Sequence, residues 1–567
     1  MATAQQIADP RTEMASQTKT GADVVVETLE ARGVKHIFGV PGAKIDKVFD
    51  RLRDSSIKTI VCRHEQNAAF IAGGVGRMTG RAGVALVTSG PGVSNLVTGL
   101  ATANSEGDPL VALGGAVAVA DRLKSLHQTM NAVGVCRPVT KYAEEIDSPA
   151  ATAEVLSAAF RAAEGDRPGS AFVSLPIDIT TGEAKCRPIE LSTFAEQGPA
   201  AKKSLIEAAH LINSAKSPVI FLGLMASKPK FTDAIRNLLK NTVLPVVGTF
   251  QAAGAVSQEE FSYFGGRVGQ MANQPADALL NSGDVVITIG YDAVEYWPSI
   301  WNKGNQRPIV HIDTTPAKIE NDYSPAVELT GNIEETLNAL SPLLHRSRLA
   351  AASAELLQLI AQDRKRLMAE AAAKSGVPIH PLRLISELQS IMTPDVTVCS
   401  DMGSFSLYLC RYLFSFRARQ FLITNGQQTL GVALPWAIAA TIVRPQEKVL
   451  SISGDGGFLF SANELETAVR LNSHLVHMIW IDGHYDMVGV QEQIKYKRTS
   501  GVDLGPVDYV KYAEAFGATG LRIQHPDEIA PTLRKAFDTP GPVLVAVNVD
   551  YRDNVKLFEG VSEGSIL

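Results

Sequence analysis

Short, mostly apolar runs recur along this chain, each closing on a turn of small or polar residues and each separated from the next by a stretch with helical spacing. The first set is VKHIFGVPG, TIVCRH, GVALVTSGPG, PLVALGG and SAFVSLP. The second is PVIFLG, LPVVGT, VVITIG and PIVHID. The third is VTVCSD, FLITNG, KVLSISGDG, LVHMIWID and GPVLVAVNV. A strand that is apolar along its whole length has both faces buried. Intervening helices are what join parallel neighbours across a sheet. The pattern therefore predicts an α/β chain of three doubly wound parallel-sheet domains. We place them at 21–185, 202–344 and 378–556, after a loose N-terminal tail over 1–20. The polar stretch GEAKCRPIELSTFAEQGPAA reads as a linker, and the Ala/Glu/Lys/Arg-rich segment 345–378 as a helical connection.

Charge and cysteine usage narrow the function classes. The formal charge is −6 with no long run of either sign, which argues against a nucleic-acid partner. The apolar run from Leu430 to Val443 carries Pro435 and stops at Arg444. That is short of the roughly 20 residues a bilayer span needs, so no membrane partner is expected. The N-terminus has no apolar core of a secretory signal. Five scattered cysteines (Cys62, Cys136, Cys186, Cys399 and Cys410) show neither CxxC nor zinc spacing. They read as reduced thiols of a cytoplasmic protein.

In open α/β sheets, ligands sit beyond the carboxyl ends of the strands. The loops to search are therefore HEQN, SGPG, DMGS, NGQQ, GDGG and DGHY. The strand VLSIS runs into Gly454-Asp455-Gly456-Gly457, with a helix expected from Asn463 and Glu464. The next strand, LVHMIWI, ends at Asp482-Gly483-His484. Asp455 and Asp482, 27 residues apart, thus leave two strands of one β-α-β unit at the same edge. Mg²⁺ takes hard oxygen ligands, usually one or two carboxylates with phosphate and water. A carbonyl in the turn after Asp482 supplies a further oxygen. Gly456 and Gly457 let backbone N–H groups approach a phosphate. A GDG triplet alone is more often a surface turn; the paired aspartates carry the metal reading.

This arrangement resembles the thiamine diphosphate-binding motif of the pyruvate decarboxylase and acetolactate synthase family. The resemblance runs from about Gly21 to Val549. It implies Mg²⁺ on Asp455, Asp482 and the His484 carbonyl, with Met487 packed on the cofactor. Asp482 stands where most of the family has Asn, a feature the catabolic acetolactate synthases share. Glu65, in His64-Glu65-Gln66-Asn67, stands where the family places the carboxylate that bonds the aminopyrimidine N1′. A carboxylate sharing its proton there favours the imino tautomer needed to deprotonate C2. The loop Asn425–Gly431 resembles the one that bends the cofactor, with Leu430 as the wedge and the Gln428 carbonyl accepting from the 4′-amine. Gly403 and Ser404 resemble a second diphosphate contact. Gln128 falls where related carboligases place a substrate-facing amide, and Lys44 is placed to contact a substrate carboxylate.

FGVPGAKIDKVFD, MGSFSLYLCRYLFSFRARQ and NGQQTLGVALPWAI look most like the catabolic, FAD-independent acetolactate synthases. Gln491 replaces a Trp of the anabolic enzymes that favours 2-ketobutyrate, which implies pyruvate as both donor and acceptor. The stretch Tyr291–Tyr296 lacks the Arg-Phe-Asp-Asp-Arg flavin segment, so FAD is not expected. The resemblance implies decarboxylation of pyruvate on thiamine diphosphate and ligation to a second pyruvate, giving 2-acetolactate and CO₂. It also implies a homodimer or homotetramer, with Glu65 and Asp455 meeting across subunits. The alternatives are an anabolic acetohydroxyacid synthase catalytic subunit, or a pyruvate decarboxylase or oxidase. A decarboxylase should carry a His-His pair in its first domain, and only His127-Gln128 is present.

Overall fold

Among the described residues, eighteen strands assemble into three six-stranded sheets, and every strand pair within them is parallel. The computed structural model describes residues 19–189, 197–345 and 348–558. Nearly all of the expected tail and the middle of the expected linker lie outside the described residues.

The first sheet comprises β1 (His36–Val40), β2 (Lys58–Val61), β3 (Gly83–Val87), β4 (Leu110–Ala116), β5 (Tyr142–Glu145) and β6 (Ser170–Pro176), in spatial order β2-β1-β3-β4-β6-β5. The second comprises β7 (Pro218–Leu222), β8 (Val246–Thr249), β9 (Phe264–Val268), β10 (Val285–Ile289), β11 (Ile309–Asp313) and β12 (Val327–Thr330). Its order, β12-β11-β10-β7-β8-β9, is the dinucleotide-binding arrangement with β7 as the first strand. The third comprises β13 (Val396–Ser400), β14 (Phe421–Leu422), β15 (Lys448–Gly454), β16 (Leu475–Ile481), β17 (Thr519–Ile523) and β18 (Val543–Asn548). Its order, β14-β13-β15-β16-β18-β17, repeats that of the first sheet strand for strand.

Central strands such as β3, β7, β10 and β13 are buried at every residue, as their unbroken apolar runs require. β5, β9, β12 and β17 had no counterpart among the apolar runs, and all four lie at or next to a sheet margin where burial is one-sided or the composition is mixed. The expected helical connection is the helix Ala351–Ala372. All five cysteines are free, and all but Cys186 are buried.

The first and third sheets share one core. The helix Glu65–Thr79 lies along the helix Ala433–Val443, and their apolar residues join a single cluster that includes Phe70, Ile71, Trp436 and Ile438. This explains the apolar run noted above: its helix is buried on nearly all sides, between two sheets and not in lipid. Gly74 makes the approach possible, since a Cβ there would lie 2.9 Å from the Trp436 ring and 3.0 Å from Ala439 Cβ. Among the described residues no helix is long and apolar enough to cross a membrane.

Candidate cofactor site

The parallel order of the third sheet brings four strand-ending loops together at one edge. β13 delivers Gly403 and Ser404, and β14 leads into Gln428 and Leu430. β15 delivers Asp455, Gly456 and Gly457. β16 delivers Asp482 and His484, with Met487 on the following helix Asp486–Tyr496. All ten line one cavity of about 210 Å³.

Asp455 is buried and its rotamer is held at both oxygens: Gly456 N–H donates to Oδ1 at 2.9 Å and Gly483 N–H to Oδ2 at 2.8 Å. The second bond ties the β15 turn to the β16 turn, so the two aspartates share one small volume. Burial raises the Asp482 carboxyl well above the usual carboxylate range, and the charges of Asp455 and Asp486 push it further. A divalent cation would offset that accumulation of negative charge. Among the described residues no three His, Cys, Asp or Glu side chains form a ready-made metal cage. Two carboxylates with one carbonyl of the β16 turn would suit Mg²⁺ completing its shell from phosphate and water. A Cβ on Gly456 would come within 2.6 Å of the Tyr485 ring, so only glycine leaves this wall open.

The helix at this edge does not begin at Asn463 and Glu464. It begins at Asp455 itself and runs only to Leu459; a 3₁₀ turn, Ala462–Glu464, and the helix Leu465–Arg470 follow. The glycines after Asp455 accept helical dihedrals, so the strand passes into helix without the longer loop that the Gly-rich motif suggested.

The first sheet gathers its own group at its carboxyl edge. Glu65 opens the helix Glu65–Thr79, with His64 capping through Nδ1. Asn95 Nδ2 donates to Glu65 Oε2 at 2.9 Å. Ser89 Oγ donates to Gln128 Oε1 at 2.7 Å, and a Cβ on Gly90 would meet Gln128 Cβ at 2.8 Å. Gln128 thus sits in a turn at φ +67°, not on a helix. Lys44, half-buried, lies in the turn after β1, whose backbone abuts Gly115 of β4. None of Glu65, Gln128 and Lys44 lines the cavity of the third sheet within the chain, and neither does Gln491, which lies one turn beyond Met487 on the same helix.

Comparison with characterised families decides what this geometry belongs to. Models of the thiamine pyrophosphate enzymes match in three consecutive blocks: the N-terminal TPP binding domain over residues 19–135, the central domain over 205–340 and the C-terminal TPP binding domain over 401–547. This chain belongs to the thiamine pyrophosphate enzymes. Among its relatives, the catabolic acetolactate synthase of Raoultella terrigena is 52% identical over 548 residues, 96% of this chain and 98% of that protein. The acetolactate synthase of Bacillus subtilis is 48% identical over 541 residues, 95% and 94% of the two chains. The acetolactate synthase isozyme 2 large subunit of Escherichia coli is 28% identical over 543 residues, 94% and 96%.

Within this thiamine pyrophosphate enzyme, several cavity residues went unread in the sequence. Tyr551 reaches the cavity from the segment after β18. Asp486 also lines it; it accepts from Ser404 Oγ and from Asn554 Nδ2. Both lie just beyond strands β16 and β18, so the strand-end rule that found Asp482 extends to them. Asp401 is buried and accepts Gly431 N–H at 2.8 Å, a contact no local pattern reveals.

Proposed function

We propose that this chain is a thiamine diphosphate- and Mg²⁺-dependent acetolactate synthase that condenses two pyruvates into 2-acetolactate with loss of CO₂. The observation that carries the reading is the convergence of ten residues from four strand ends on one cavity, in a chain 52% identical to a catabolic acetolactate synthase. In this reading Asp455, Asp482 and the His484 carbonyl hold Mg²⁺. Gly403, Ser404, Gly456 and Gly457 would receive the diphosphate, and Leu430 and Met487 would pack against the cofactor. The cofactor, when bound, supplies the electron sink that pyruvate decarboxylation requires. Glu65 shares a proton with the aminopyrimidine N1′, Asn95 fixes its carboxylate, and the Gln428 carbonyl accepts from the 4′-amine. Gln128 and Lys44 orient pyruvate, and Gln491 leaves room for pyruvate as acceptor. Because Glu65 does not line the cavity of its own chain, the reading takes it from a second subunit, in a homodimer or homotetramer. The division at 21–185, 202–344 and 378–556, and a cytoplasmic location, belong to the same reading.

One feature of the second sheet supports this FAD-independent reading over the anabolic alternative. In a dinucleotide-binding sheet the turn after the first strand offers backbone N–H groups to a diphosphate. Here the Glu295 carboxylate takes that place, accepting Leu224 N–H at 2.8 Å, Asp292 N–H at 3.0 Å and Thr249 Oγ1 at 2.6 Å. A diphosphate there would find the Leu224 N–H already taken. The test is to incubate the purified protein with pyruvate, thiamine diphosphate and Mg²⁺, assay acetolactate and acetaldehyde separately, and record the flavin absorbance. Acetolactate from a colourless protein is expected; acetaldehyde as the main product, or a stoichiometric flavin, contradicts the reading.

A further inference from the structure

The loop that carries Gln428 and Leu430 is anchored from all three sheets' surroundings, and much of that anchoring falls on one side chain. Glu106 is the last residue of the helix Pro91–Glu106, next to the first sheet, and is completely buried. Its Oε1 accepts Asn425 N–H and Gly426 N–H, each at 2.8 Å, and Thr424 Oγ1 at 3.2 Å. Its Oε2 accepts from Arg77 Nη2 at 3.4 Å and from Gln251 Nε2, which lies just after β8. A single carboxylate thus gathers donors from the first, second and third units. One turn earlier on the same helix, Thr102 Oγ1 meets Thr429 Oγ1 at 2.8 Å. The loop lies so close that a Cβ on Gly426 would fall 1.8 Å from Ser105 Oγ. At its far end Asp401 accepts Gly431 N–H and Ser461 Oγ donates to the Gly431 carbonyl at 2.7 Å. Between these anchors Gln428 holds φ +48°, a conformation that a non-glycine residue keeps only when its surroundings over-determine it.

We propose that Glu106 is a positioning residue for the cofactor loop: by joining the three units at Thr424–Gly426 it sets the Gln428 carbonyl and Leu430 against the cavity. This rests on the reading of that cavity as the thiamine diphosphate site. All five partners of Glu106 are donors, so an amide in place of the carboxylate must turn an NH₂ toward at least one of them. The neighbouring helix residues Leu96, Leu100 and Ala103 keep their own core contacts, so the first sheet need not change.

The experiment compares Glu106→Gln with the parent chain by hydrogen exchange without cofactor, then by thiamine diphosphate titration and steady-state kinetics. Exchange should quicken over 424–431 and stay unchanged over 455–459 and the strands of the first sheet. Cofactor affinity should fall by about tenfold or more, and kcat by a similar factor, with the KM for pyruvate within about twofold. Unchanged exchange over 424–431, or loosening spread across all three sheets, overturns the proposal. If Glu106→Gln does not fold, Thr424→Val removes one donor while keeping shape. It should give the same local exchange change and about threefold weaker cofactor binding, and no local change overturns the proposal. The exchange arm needs no cofactor, so it reads the anchoring whatever the reaction. A parent chain that exchanges as expected yet forms no acetolactate sinks the functional reading alone.

Discussion

Replacing Glu65 by Gln separates chemistry from stability, because the structure bounds what the fold can lose. Glu65 makes one side-chain hydrogen bond, from Asn95 at 2.9 Å, and stands in the first turn of the helix Glu65–Thr79. Neutralising a carboxylate at a helix N-terminus costs about 0.3–1 kcal/mol. Weakening a charge-assisted hydrogen bond to a neutral one costs about 1 kcal/mol more. The folding penalty is therefore about 1–2 kcal/mol. Removing a group that transfers a proton in catalysis typically lowers the rate about 10²–10⁴-fold, equivalent to about 3–5 kcal/mol of barrier. Glu65→Gln should accordingly keep its thermal transition within a few degrees while kcat for acetolactate formation, measured at saturating thiamine diphosphate and Mg²⁺, falls by at least about a hundredfold. Full carboligation by this variant would refute the role given to Glu65. So would a loss of activity that merely tracks a loss of folded protein.

Further expectations follow from the same geometry. If each cofactor takes Glu65 from one subunit and Asp455 from another, two inactive variants, Glu65→Gln and Asp455→Asn, should complement each other. Unfolding and refolding them together as an equal mixture should restore about a quarter of parental activity, since half the dimers are mixed and each has one intact site; no recovery would place both residues in one subunit's site. Buried His477, between Ser451 Oγ at 2.7 Å and Ser453 Oγ at 2.8 Å, has its pKa lowered to about 3 by burial. Its neutral form stabilises the fold fully above pH 6.5, and that contribution, at most about 5 kcal/mol, is lost as pH falls toward 3. The transition temperature should fall less steeply between pH 6.5 and 4 in His477→Gln than in the parent, and equal slopes would contradict this. Gly74→Val should destabilise the chain by several kcal/mol in chemical denaturation, because the Trp436 ring and Ala439 leave no room for a branched side chain; a stability within about 1 kcal/mol of the parent would show that the two helices can part without cost.

What could be read from the sequence depended on burial. Strands such as β7 and β13, covered on both faces, announce themselves as unbroken apolar runs. β5, β12 and β17 do not, because each buries only part of its surface, and β9 hides behind Gly265, Gly266 and Arg267. Asp455 and Asp482 were legible because parallel order puts adjacent strand ends together, so two turns 27 residues apart must meet. Glu106 was not legible: nothing near it in the chain suggests that its acceptors serve a loop more than 300 residues away. Tertiary pairing of that kind leaves no local signature. The same holds for Asp401 and for Glu295, whose carboxylates satisfy backbone N–H groups of distant turns.

The most direct test substitutes Mn²⁺ for Mg²⁺ and locates it by anomalous scattering in crystals grown with thiamine diphosphate. We expect one peak ligated by Asp455, Asp482 and the His484 carbonyl, with the diphosphate on the same ion and the partner subunit's Glu65 at the aminopyrimidine ring. A metal bound elsewhere, or that cavity without cofactor at saturating concentration, would contradict it.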